Sequence, residues 1–126
     1  MIVFGNRRLG PGAELLLSDD VAKAILEAAA EAVRARASAR WERELFDWLC
    51  DRAAGDPNID VDDLAWSPEH FDTQRRFLVE AIEVAAQASI HANALRRWAR
   101  MVASHPRASV GRRWRWSRSD VTQRNN

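Results

Sequence analysis

The chain has 126 residues, a formal net charge of +1 and a single cysteine, enough length for one domain with its own core and too few thiols for a disulfide-held scaffold. Every apolar run falls short of the roughly 18 residues that a membrane span needs, and Met1 to Arg8 lacks the basic-then-apolar layout of a secretory leader, so the sequence predicts a cytoplasmic protein. The near-neutral total hides an asymmetry: from His91 onward nine arginines face one acid, Asp120, whereas the first 90 residues carry seventeen acids and ten basic side chains.

Ile2-Val3-Phe4 is a short β-prone run, and Gly5-Asn6 is placed to turn it back as a hairpin toward Arg7-Arg8-Leu9. Gly10-Pro11-Gly12 closes that segment. Ser18 is a natural N-cap with Asp19 and Asp20 in the first turn, and apolar side chains at 22, 26, 29, 33, 37, 41, 45 and 48 follow at close to the helical period. The arginine and alanine stretch from Arg34 to Arg40 is where this helix is expected to bend or divide. Gly55-Asp56-Pro57-Asn58 interrupts the pattern.

A second helical block is predicted from Ser67 as N-cap, with Pro68 at the first helical position, ending at His105-Pro106. One apolar seam joins Phe77, Ala81, Val84, Ala88, His91, Leu95, Trp98 and Val102; another joins Phe71, Leu78, Ile82, Ala85, Ser89 and Ala92. A helix covered on so much of its circumference belongs at the centre of a bundle, or gives one seam to a second copy of the chain. The predicted fold is mainly α: a single-domain bundle of three to four helices over residues 1–119, with a minor β element from the N-terminal segment. A further candidate strand lies in the C-terminal segment, and the polar residues 120–126 read as a frayed end.

Asp56, Asn58, Asp60 and Asp62 place oxygen side chains at alternate positions, as a calcium loop does. The strict positions fail, because Val61 stands where the turn needs glycine and Ser67 where a bidentate glutamate is needed. The segment reads instead as a solvated acidic loop. Asp56, Asp60, Asp62 and Asp63 are candidate contacts for a basic partner, or for the chain's own arginine-rich end.

His70, His91 and His105 are the only histidines, and none stands in a catalytic context. Cys50, beside Trp48 and Leu49, reads as a small buried apolar residue. Nucleophile elbow, phosphate loop, dinucleotide fingerprint and paired metal-ligating cysteines are all missing from the sequence. No catalytic residue, metal or cofactor is assigned, and enzymatic activity is left open. Eighteen arginines against one lysine, in an alanine-rich chain, point to a GC-rich bacterial source.

In Arg112-Arg113-Trp114-Arg115-Trp116, an extended backbone puts Trp114 and Trp116 on one side and Arg113 and Arg115 on the other. Such a segment suits single-stranded nucleic acid, with arginines on phosphates and indoles stacked on bases. It equally suits an edge strand beside Ile2-Val3-Phe4. Arg96, Arg97 and Arg100 extend the same basic surface, and their charge is favourable at a helix C-terminus whatever the function. Two function classes follow. The first is a non-catalytic intracellular protein-interaction module, immunity- or antitoxin-like, that binds a protein partner through the acidic loop and apolar helix faces. The alternative is a nucleic-acid-binding regulator using Arg96, Arg97, Arg100 and the Arg112 to Trp116 segment, in which a homodimer would enlarge the charged footprint.

Overall fold

The computed structural model describes residues 1–10, 12–64 and 66–105. The candidate C-terminal strand, the end at 120–126 and the domain limit at 119 lie outside the described residues.

Ile2, Val3 and Phe4 form the strand that their β-branched and aromatic side chains predict, β1 (Ile2–Gly5). The chain does not reverse at Gly5-Asn6. Arg7–Leu9 is a 3-10 turn, closed by the Gly10 N–H on the Arg7 carbonyl at 3.1 Å. Gly10 and Gly12 then adopt φ of 87° and 94°, a region closed to most side chains. The hairpin partner is therefore β2 (Glu14–Leu17), and the return strand expected at Arg7-Arg8-Leu9 is corrected to this wider loop.

Ser18 caps α1 (Asp19–Arg36) as expected, its Oγ accepting the Val21 N–H at 3.3 Å. Ala37 is extended, and α2 (Arg40–Ala54) restarts three residues later. Glu42 fixes that break: its Oε1 accepts the backbone N–H groups of Ser38 at 2.7 Å and Ala39 at 3.0 Å. Leu45, Leu49 and Ala53 are the buried face of α2, while Trp41 and Trp48 are only partly covered. Trp41 meets Phe77 edge-on at 5.2 Å, and Arg52 lies over the Trp48 ring.

After the Gly55 to Asn58 loop, β3 (Ile59–Asp60) pairs parallel to β1, giving the sheet order β2-β1-β3. On that side β3 pairs with Phe4 and Gly5 alone, and the Val3 N–H donates to Asn58 Oδ1 at 2.8 Å. A 3-10 turn, Val61–Asp63, follows β3.

The second helical block differs from expectation at both ends of its first half. α3 (Phe71–Gln87) starts at Phe71, and Ser67 is not its N-cap. The Ser67 N–H donates to Gln74 Oε1 at 2.9 Å and the His70 N–H to the Ser67 carbonyl at 3.1 Å, so Pro68, Glu69 and His70 form a turn ahead of the helix. At the other end the Ala88 and Ser89 N–H groups tighten onto Ala85 and Ala86, three residues back. Ser89 Oγ accepts the His91 N–H at 2.9 Å, and α4 (Ala92–Ala103) sets off in a new direction. The seam through Phe77, Val84 and Ala88 is consequently broken: Val84 and Ala88 are exposed, and Phe71, Leu78 and Ile82 are the buried stripe.

α1 packs against both α2 and α3, and α3 packs against α4. The sheet closes one end of this arrangement where Phe4 of β1 meets Trp98 of α4, both without solvent exposure, at a ring separation of 5.0 Å. The fold is mainly α, with four helices and one small three-stranded sheet among the described residues. None of those helices is long and apolar enough to cross a membrane.

Candidate functional site

The acidic loop is not an open patch. Its parallel pairing puts Asp60 beside Gly5, and so beside the turn that carries Arg7 and Arg8. Asp60 is 7% exposed; its Oδ2 accepts the Arg7 backbone N–H at 2.9 Å and its Oδ1 the Asp62 N–H at 2.9 Å. The Arg7 guanidinium donates to Asp63 at 3.1 Å, and this bond raises the arginine further above its ordinary pKa. Arg8 Nε donates to Asp62 Oδ2 at 3.3 Å. Three of the four acids expected to face a partner are thus engaged by two arginines of the N-terminal loop. Only Asp56 is exposed, and its carboxylate accepts from the Asn58 backbone and side chain, which holds it below the usual carboxylate range.

Behind these pairs the loop is anchored in the core. The fully buried His105 places Nε2 3.5 Å from Asp62 Oδ1 and stacks on Trp66 at 5.3 Å, and the Trp66 Nε1–H donates to the Val61 carbonyl at 3.0 Å. Arg75 of α3 donates to the His105 carbonyl at 3.0 Å and lies over Phe71. Burial pushes the imidazole below its ordinary pKa, opposed in part by Asp62 and Asp60. Asn6, 1% exposed, donates from Nδ2 to the Met101 carbonyl at 3.1 Å and ties the same loop to α4. A cleft of about 310 Å³ opens above this junction, its polar lining including Arg7, Glu14, Asp60 and Asp63. No group of three or more His, Cys, Asp or Glu among the described residues is arranged to hold a metal ion.

The arginines of α4 have the opposite character. Leu95, Trp98, Ala99 and Val102 are its buried stripe. At about 100° per residue, Asn93, Arg96, Arg97 and Arg100 fall on the opposite side, and all four are exposed. Among the described residues none of the three arginines has a carboxylate within ion-pair distance. Arg112, Arg113, Trp114, Arg115 and Trp116 lie outside the described residues. His70 is exposed and His91 half-buried at the start of α4. Cys50 is half-buried, its thiol pushed up by burial and by Asp47 and Asp51.

Arg7 and Arg8 are the site residues that sequence reasoning missed. The signal was present as two adjacent arginines in a glycine-bounded turn, but a parallel contact between residues near 5 and near 60 leaves no local trace. No protein-family model, curated protein or solved structure matches this chain.

Proposed function

We propose that the protein is a non-catalytic binding module that recognises nucleic acid through the arginine face of α4. One observation carries the reading: Arg96, Arg97 and Arg100 share one exposed helix face without a carboxylate partner among the described residues, whereas Asp60, Asp62 and Asp63 are each held by Arg7 or Arg8. The free cationic surface is the one able to exchange its counterions for phosphates. Arg112, Arg113 and Arg115 follow in sequence and add charge of the same sign, with Trp114 and Trp116 as stacking groups for unpaired bases.

The test is fluorescence anisotropy with labelled single-stranded and duplex DNA and RNA, at low and near-physiological salt. Wild type, an R96Q/R97Q/R100Q variant and an R112Q/R113Q/R115Q variant are compared. Binding that survives physiological salt and is lost in the α4 variant supports the reading; binding indifferent to α4 overturns it.

A protein partner, in the manner of an immunity or antitoxin module, is the second reading. It rests on the α3 to α4 corner, where Ile90 is 95% exposed and Val84 44% exposed. A partner's pocket that took up Ile90 would remove its apolar surface from water. Ile90→Asp would abolish such a complex and leave nucleic-acid binding unchanged.

A further inference from the structure

We propose that the outer edge of β2 is a docking site for an extended, basic segment of a partner protein, which adds to the sheet as a fourth strand. The surface is separate from the arginine face of α4 and selects the opposite charge.

The backbone geometry defines the edge. Among the described residues β2 is the outermost strand, with β1 its one neighbour. The Asn6 N–H donates to the Ala13 carbonyl at 2.9 Å, and the register runs on through Phe4 with Leu15 and Ile2 with Leu17. These are the pairs whose N–H and C=O groups face each other across the ladder. On β1 the odd residues turn the other way, as the Val3 N–H shows by donating to Asn58 Oδ1 at 2.8 Å. Glu14 and Leu16 therefore point their backbone donors and acceptors away from β1, and among the described residues nothing receives them.

The side chains reinforce this. Edges of native sheets are ordinarily blunted by short length, charge, proline, a bulge or a covering element; β2 has four residues and one charge, Glu14, which repels an acidic strand and leaves a basic one able to pair. Glu14–Leu17 contains neither proline nor lysine, and its register is unbroken. Leu16 is 58% exposed on the outer face of the sheet. It is flanked by the exposed acids Glu14, Asp19 and Asp20, none of which forms an ion pair among the described residues.

An added strand gains affinity from its main chain and selectivity from alternate side chains. The complement of this edge carries an apolar residue against Leu16 and basic residues two positions to either side. A second copy of β2 is a poor occupant: parallel pairing sets Glu14 against Glu14, antiparallel pairing about Leu15 sets it against the partner's Leu16 with no opposite charge, and antiparallel pairing about Leu16 sets it against Ser18, next to Asp19.

The probe is a short labelled peptide with arginine, valine and arginine at successive same-side positions and threonine between them; the control is the same peptide with its backbone amides N-methylated, which removes the main-chain donors and keeps every side chain. Binding is followed by anisotropy, and amide hydrogen exchange is read residue by residue on the full chain. In the protein alone the Leu15 and Leu17 amides are protected and those of Glu14 and Leu16 exchange freely. The peptide is expected to protect Glu14 and Leu16, and the N-methylated control to leave them unchanged. Leu16→Pro removes one outward donor and should weaken binding about tenfold or more. If that variant does not fold, the exchange pattern of wild type decides alone. Peptide binding without new protection at Glu14 and Leu16, or no binding, overturns the proposal. So does protection of these two amides in the protein alone, which would mean that the edge is already occupied.

Discussion

Nε2 of His105 lies 3.5 Å from Oδ1 of Asp62, on an imidazole with no solvent exposure. Burial depresses the pKa of His105 in the folded chain, below the roughly 6.5 of an unfolded histidine. The folded state thus favours the neutral ring. Its contribution is complete above the unfolded value and is lost as pH falls through that value toward the folded one. Urea midpoints should decline between about pH 7.5 and 5. A His105→Gln variant should be less stable throughout and show a flatter profile; an equal slope in both proteins would refute this account.

Asp60 should act on stability and not on recognition. Asp60→Ala leaves the partly buried N–H groups of Arg7 and Asp62 without their acceptor, at a cost of about 0.5 to 1.5 kcal/mol for each bond. Asp56→Ala, at an exposed position, should leave the denaturation midpoint much closer to wild type than Asp60→Ala does. Chemical denaturation of the two variants is the comparison, and equal stabilities would mean that the Asp60 contacts contribute nothing.

The two serines read from sequence as helix caps should separate. Ser18→Ala removes the acceptor of the Val21 N–H and should cost about 1 kcal/mol. Ser67 offers a backbone N–H to Gln74 while its hydroxyl donates to the exposed Glu69, so Ser67→Ala should change stability by less than about 0.5 kcal/mol.

If the arginines of α4 contact phosphates, their removal has a signature beyond weaker binding. Three contacts to a single strand contribute about two units to the slope of log affinity against log salt. The R96Q/R97Q/R100Q variant should lose that much slope and keep its thermal midpoint. A large fall in midpoint would show that these side chains serve the fold.

Trp98 should be the most costly side chain to truncate. It is fully buried against Phe4, and Trp98→Ala should destabilise the protein by about 3 to 5 kcal/mol, read from urea unfolding.

What the sequence made legible was local. The Ser18 cap was readable because a hydroxyl at an N-cap acts on its own neighbourhood, and the arginine and alanine stretch from Arg34 to Arg40 marked the break, whereas Glu42, which holds it, gave no sign in the sequence. The turn at Ala88 to His91 has neither glycine nor proline; Ser89 Oγ holds it by accepting the His91 N–H, and it folds α4 back so that Trp98 meets Phe4. Ser67-Pro68 carried the strongest start signal in the chain, yet Gln74 captures the Ser67 N–H and delays the helix to Phe71. For the site, charge composition identified both surfaces but not their fates. Which acids are neutralised depends on the parallel register of β1 with β3, and that is a property of the sheet rather than of any segment.

The central place of β1 in the sheet also constrains the order of events during synthesis. Phe4 emerges from the ribosome before Ile59 and Trp98, and both must appear before it is covered on every side. Such non-local closure makes folding slow to complete and leaves an apolar strand open in the nascent chain. Early capture of β1 by β2 is the contact that can shield it meanwhile, which makes the glycine-bounded loop between those strands a point where a small change would lower the yield of folded protein before altering its stability.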